Sequence, residues 1–260
     1  MTDVVGPVFV AGCPRSGTSA LSWAVAAHPL YWTSVETHFF YYLLRETFLK
    51  DVHARSSEAG SWLNSHHVSH EEFLQHMGVG LDRMMRSRSG GLQWVDGSPE
   101  NLLVGEELLT MFPNAQLLNV VRAPEPVCLS MLMSGFAEDW AADIDAAIRT
   151  WCHYAQTGLR LVRTCPDRVL QVRQEDMLQT PRTIAVRLGE RLQLDVIDSI
   201  AAFLAAERVN SSFDRASFVD NSPFRDRMSQ LTDPAEFRLR FAARIAEETT
   251  DLADALGYGP

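Results

Sequence analysis

Gly12-Cys13-Pro14-Arg15-Ser16-Gly17-Thr18-Ser19 is the stretch of this chain whose residue types could hold an anion. It follows the apolar run Val8-Phe9-Val10-Ala11 and leads into Ala20-Leu21-Ser22-Trp23-Ala24-Val25. That order reads as buried strand, loop, helix. The two glycines let the backbone turn tightly and approach a ligand. Thr18 and Ser19 open the helix, where unpaired N–H groups and the helix dipole favour negative charge. Arg15 adds a permanent cation inside the loop. A nucleotide triphosphatase loop reads G-x-x-x-x-G-K-[ST]. Gly12 and Gly17 keep that spacing, but Thr18 stands where the lysine belongs and the charge has moved to Arg15. The loop is a phosphate-type cradle altered for a different donor.

The elements that must position this loop follow from periodicity and punctuation. Ser19 to Ala27 reads as a helix stopped by His28-Pro29, Leu30 to Val35 as a short strand, and Phe39 to Leu44 as a helix packing its aromatic residues on the core. Lys50 to Ser69 is polar and turn-rich and reads as a loop or excursion. Glu71 to Met85 has helical apolar spacing. Further strands are expected at Leu92–Val95, Gln116–Val121 and Arg168–Arg173, with helices at Glu100–Phe112, after Pro124, and at Ala141–Arg163, Pro181–Leu192, Asp195–Ala206 and Pro234–Leu256. Strands alternating with helices predict an α/β, three-layer P-loop fold, a central parallel sheet covered by helices on both faces. Residues 1–260 are read as one domain, with 50–90 as an excursion that shapes the acceptor pocket.

Composition narrows the partners. A net charge of −10 disfavours nucleic acid and polyanionic substrates. Cys13, Cys128, Cys152 and Cys165 have neither C-x-x-C spacing nor a dense framework, so reduced thiols are expected. The first strand begins near Pro7 and the apolar run Ala20–Ala27 is cut short, so no signal peptide and no membrane span are expected, and the protein is expected in the cytoplasm. His66, His67, His70 and His76 with Glu71 and Glu72 do not form H-E-x-x-H, and no metal is expected.

In two motifs the chain resembles the sulfotransferases that use 3′-phosphoadenosine-5′-phosphosulfate (PAPS). One is the Gly12–Ser19 loop, similar to that family's loop for the 5′-phosphosulfate; the other is Leu117-Leu118-Asn119-Val120-Val121-Arg122 through Ser130, similar to its element for the 3′-phosphate. Val172-Arg173-Gln174-Glu175-Asp176-Met177 and the terminal Leu256-Gly257-Tyr258 resemble further family segments. The bacterial small-molecule and tyrosylprotein sulfotransferases are the most similar in pattern. The resemblance implies sulfuryl transfer from PAPS, with 3′-phosphoadenosine-5′-phosphate (PAP) as product, to a hydroxyl of a small molecule such as a natural product, lipid or aryl alcohol. It implies that Cys13, Pro14, Arg15, Ser16, Gly17, Thr18 and Ser19 hold one end of the donor and Arg122, Ser130, Gln174 and Arg225 or Arg227 the other. Bottom-up, both arginines belong at the carboxyl edge of the sheet, where ligands bind in open α/β folds. Arg122 can grip a phosphate bidentately.

Such a transfer needs a base on the acceptor proton. Glu36 follows the second strand and so returns to the same sheet edge. It lies twenty-one residues after Arg15, the interval of the base in the tyrosylprotein sulfotransferases. His38 assists Glu36, contacts the acceptor, or replaces it as base. The family's lysine before Ser/Thr-Pro is Gly97 here, which leaves that charge to Arg15 or to Arg83, Arg86 or Arg88 folded in. The family's tyrosine near the 3′-phosphate is Gln174. Two other readings stand beside this one: a P-loop small-molecule kinase, against which the missing lysine and the strand ending in Arg122 rather than a carboxylate both count, and a nucleotide-binding protein of the same fold without catalysis.

Overall fold

In the computed structural model, residues 6–45, 48–134, 136, 138–206 and 234–259 are described. Five strands, β1 (Val8–Gly12), β2 (Tyr31–Thr33), β3 (Gln93–Asp96), β4 (Gln116–Val121) and β5 (Val169–Arg173), form one sheet in the order β2-β3-β1-β4-β5. Every pairing is parallel. The strand pattern explains why both faces are covered. Val8 and Val10 point to one side with Val95, Leu118, Val120 and Val172, whereas Phe9 and Ala11 point to the other with Trp94, Leu117 and Val169. Because both sides of each strand are apolar, each needs a helical layer.

One layer is α1 (Thr18–Ala26), α10 (Pro181–Leu192) and α11 (Asp198–Ala206). The other contains α2 (Phe39–Leu44), α5 (His70–Arg88), α6 (Gly105–Met111), α7 (Pro124–Leu132), α8 (Ile144–Thr164) and α12 (Pro234–Ala255). Phe40, from the aromatic run, is fully buried and stacks on Trp94 at 5.4 Å. Phe9 meets both rings edge-on. Phe40 and Leu44 thus pack in the core, whereas Phe39 and Tyr42 of the same run are exposed.

Three local readings change. Lys50–Ser69 is partly helical: α3 (Phe48–Ser56) and α4 (Trp62–Ser65) lie there. Leu49 is the one fully buried residue of the two, so apolar periodicity is faint, while Ser61 caps α4 through the Asn64 N–H. The helix expected from Glu100 starts as a 3-10 segment, Pro99–Val104, before α6. A short helix, α9 (Gln174–Gln179), follows β5 directly.

The tightest constraint on the sheet is at Gly12, paired with Val120 of β4. Its φ is 155°, and a Cβ there would lie 2.2 Å from the Val120 carbonyl oxygen. Gly12→Ala must therefore push β1 away from β4. The expected cost is about 2–3 kcal/mol, read as a lower urea midpoint with an unchanged slope.

Candidate functional site

At the carboxyl edge of the sheet, β1 and β4 run side by side and release their loops together. Gly17, at φ 96°, turns the chain into α1 and leaves the first N–H groups of that helix facing the loop. Arg15 is also in the left-handed region, at φ 72°, which a non-glycine residue adopts only when its surroundings hold it there. Those surroundings are visible. The Arg15 Nε donates to the Ser130 hydroxyl on α7 at 3.1 Å, and Arg122 Nη1 donates to the Arg15 carbonyl at 3.0 Å. The two sequence-predicted anion grips are thus bonded to one another.

Both guanidiniums are largely withdrawn from water, and burial lowers their pKa values. For Arg15 the charge of Glu36 opposes this and Arg122 adds to it. For Arg122 the charge of Glu175 opposes it. Glu175 also anchors the backbone beside Arg122: one carboxylate oxygen accepts from the Ala123 N–H at 3.1 Å and the other from the Tyr258 hydroxyl at 2.7 Å. Tyr258 reaches it because Gly257, at φ 80°, turns the chain back after α12. Arg173 covers the Tyr258 ring at 4.3 Å. The Trp151 indole N–H holds the Arg122 carbonyl at 3.0 Å. Glu125 is paired with Arg238 at 2.6 Å.

A cavity of about 600 Å³ opens on this edge. Its lining includes Pro14, Arg15, Gly17, Thr18, Ser19, Arg122, Ser130 and Gln174, together with Glu36 and His38. Gln174 sits against the cradle: its Cγ would be 3.1 Å from a Cβ at Gly17. Cys13 and Ser16 are placed differently. Both line a separate small cavity behind the loop with Asn119, Trp151 and Tyr154, and the Ser16 hydroxyl has no hydrogen-bond partner among the described residues. Burial pushes the Cys13 thiol well above its ordinary pKa, so it is an inert thiol rather than a nucleophile. Arg225, Arg227 and the turn at Asn221-Ser222-Pro223 lie outside the described residues.

Glu36 and His38 are held from β3. The buried Asp96 carboxylate accepts from the Ser98 N–H and the Asn101 amide, each at 2.9 Å, and from the Thr37 hydroxyl. Ser98 Oγ accepts both the Thr37 N–H at 3.0 Å and the His38 N–H at 2.9 Å. His38, at φ 53°, then caps α2. Glu36 receives the Ser19 hydroxyl at 3.5 Å, which ties it to the first turn of α1. The His38 ring is bonded through Nδ1 to Glu100 at 3.1 Å, with Nε2 3.7 Å from Glu36.

Some lining residues were not legible in the sequence. Glu100 follows the Pro99 that starts the 3-10 segment; Phe136, Glu138 and Trp140 lie between α7 and α8; Leu178 is on α9. A carboxylate just after the strand end at Asp96 was the one available signal for Glu100. No residue of 50–90 lines this cavity. Arg83, Arg86 and Arg88 are not in its lining either, and Arg86 is bonded to Asp82 at 2.7 Å and to Gln93 at 2.7 Å, near the start of β3. Among the described residues no cluster of three or more His, Cys, Asp or Glu could hold a metal ion, and no helix is long and apolar enough to cross a membrane.

A parallel sheet with a glycine-framed loop after its central strand, and a second arginine delivered by the neighbouring strand, defines a P-loop-type α/β fold. Residues 7–198 match the sulfotransferase family, and the chain belongs to that family. An uncharacterized protein of Aquifex aeolicus (strain VF5) is 22% identical over 208 residues, 78% of this chain, and the match spans only 27% of that relative's length. Among solved structures, the sulfotransferase domain from the Synechococcus PCC 7002 olefin synthase is similar with a TM-score of 0.61 and 20% identity, over 99% of this chain and 98% of that one. The sulfotransferase domain from the curacin biosynthetic pathway gives 0.57 and 19%, over 98% and 99%. A sulfotransferase from Alicyclobacillus acidocaldarius gives 0.54 and 17%, over 98% and 97%. These likenesses show the shared fold.

Ser98→Ala would leave the Thr37 and His38 N–H groups without their acceptor. The expected loss is about 1–3 kcal/mol, measurable by urea denaturation; an unchanged midpoint would mean that Ser98 does not hold the loop.

Proposed function

We propose that the chain transfers a sulfuryl group from PAPS to a hydroxyl of a small-molecule acceptor. The observation that carries this reading is the cavity on which Arg15, Arg122 and the start of α1 face Glu36. A donor with separate phosphate ends suits two neighbouring cationic grips, and the cavity has the volume of a small-molecule site. When bound, PAPS supplies an activated sulfuryl group whose bond to the 5′-phosphate oxygen breaks as the bond to the acceptor oxygen forms.

The residues divide by charge. Arg15, with the N–H groups of Gly17, Thr18 and Ser19, stabilises the negative charge that grows on the leaving phosphate, in a site already shielded from water. Arg122, Ser130 and Gln174 bind the other phosphate end. Their hydrogen bonds are directional, so they fix the donor's orientation as well as its affinity. Glu36 takes the acceptor proton as the new bond forms. Phe136, Trp140 and Leu178 form an apolar wall against which an aromatic or aliphatic acceptor can pack. Neighbours in the olefin synthase and curacin systems make a biosynthetic acceptor a natural first panel.

PAP should raise the melting temperature by roughly 5 °C at a hundredfold excess over its Kd. Arg15→Ala and Arg122→Ala should lose that shift. Glu36→Gln should keep it and lose about 10²–10⁴-fold in kcat. Absence of any PAP shift would overturn the donor assignment. Mg²⁺-dependent ATP turnover would point to a kinase instead, and PAP binding without transfer across a broad hydroxyl panel to a non-catalytic relative.

A further inference from the structure

The cavity presents a charge problem. Three carboxylates, Glu36, Glu100 and Glu138, line the same space as Arg15 and Arg122. Two of them, Glu36 and Glu100, are paired with one ring, and their charge works against the attraction the two arginines offer an anionic ligand. The ring of His38 lies between them, with Nδ1 at 3.1 Å from Glu100 and Nε2 at 3.7 Å from Glu36. An ionised carboxylate only accepts, so Nδ1 must carry a proton toward Glu100. At 3.7 Å, Nε2 is beyond hydrogen-bond reach of Glu36 but well within ion-pair range. The contact therefore suits a charge acting on Glu36 better than a direct hand-off of its proton.

We propose that Glu100 is a positioning residue that keeps His38 as an imidazolium between Glu36 and itself, so that Glu36 is oriented and the Glu36–His38–Glu100 group carries one net negative charge instead of two. This rests on the sulfuryl-transfer reading for its effect on rate, but the ion triad itself does not. Two observations converge on it. The His38 backbone is held in a left-handed conformation, its N–H donating to Ser98 at 2.9 Å, and from there the ring reaches both carboxylates. The pKa of His38 is raised, chiefly by the hydrogen bond to Glu100 and further by the charges of Glu100, Glu36 and Asp96, against an opposing effect of burial. Around this group, the charge of Glu36 also acts on Arg15 and that of Glu100 on Tyr154. Glu100, Glu36 and Asp96 each favour the charged ring.

The sign of the pH dependence follows. A histidine whose pKa is raised on folding stabilises the protein fully below its ordinary titration range and loses that contribution as pH rises through the raised value. Its effect on turnover runs the same way: activity should fall on the alkaline side as the ring gives up its proton. A histidine acting as the base would produce a rise over that range instead.

The test combines a titration and a rate. The His38 ring, assigned with His38→Asn, is followed by NMR against pH in the resting protein. It should titrate above the ordinary histidine value, and Glu100→Gln should bring it back toward that value. With PAPS and an accepted hydroxyl substrate, kcat/KM should show an alkaline limb at the ring's measured pKa. That limb should move down in Glu100→Gln and disappear in His38→Arg, whose charge does not titrate over that range, whatever rate the variant retains. An unmoved ring titration in Glu100→Gln, or a rate that climbs as the ring deprotonates, would overturn the proposal. If the titration behaves as expected and no acceptor is sulfated, the triad stands and the transfer reading fails.

Discussion

The site depends on how closely β1 and β4 approach one another. With the Val120 carbonyl where a Cβ of residue 12 would sit, the strands can pair in this register only through glycine. That contact brings the loop after β1 and the residue after β4 to the same point. Arg122 then reaches the Arg15 carbonyl, and Arg15 reaches Ser130 on the helix that follows Arg122. Two guanidiniums are held near each other in a partly dry place, a costly arrangement for like charges. Burial and mutual repulsion both disfavour Arg15's charge. An anion placed between the two cations would remove repulsion and supply hydrogen-bond acceptors at once.

Carboxylates are arranged around this pair at different depths, with different tasks. Glu175 sits behind Arg122 and is tied to the Ala123 backbone and to Tyr258, so it supports the arginine from the protein side. Asp96 is buried beneath the Thr37–Ser98 contacts and works through the backbone, fixing the turn that carries Glu36 and His38. Glu36 and Glu100 face the cavity itself. Four carboxylates of one chemical type thus become an arginine support, a loop anchor, a candidate base and its neighbour's partner. Their burial and partners decide which is which.

The sheet, its helical layers and the arginine positions were legible because they rest on strong signals: apolar runs, Gly and Pro punctuation, and cations placed where parallel strands end. Glu36 was legible for the same reason. The resemblance puts Cys13 and Ser16 in the donor loop, and both residues also line a separate small cavity with Asn119 and Trp151. A loop this tight turns successive side chains to different sides, and composition cannot say which. Glu100, Phe136, Trp140 and Leu178 come from a 3-10 segment, an inter-helix connection and a short helix, whose directions are set by tertiary packing. Lys50–Ser69 hid two helices because they bury little and so leave a weak periodic trace.

Gly97 shows how the cradle and the base turn constrain each other. A Cβ at this position would meet the Ser22 hydroxyl at 2.4 Å and its Cβ at 3.1 Å. Ser22 is buried on α1 and donates to the Thr18 carbonyl at 2.9 Å, inside the helix whose first turn follows the glycine-framed loop. A side chain at 97 would therefore require Ser22 to turn its hydroxyl away, at the cost of its bond to the Thr18 carbonyl. The two neighbours of Gly97, Asp96 and Ser98, both hold the Glu36–His38 turn. Gly97 thus lies where α1 and that turn meet. With no side chain at 97, Arg15, braced by Ser130, and Arg122 are the fixed cations of this cavity lining among the described residues, and the charge state of His38 between its two carboxylates sets the balance against them.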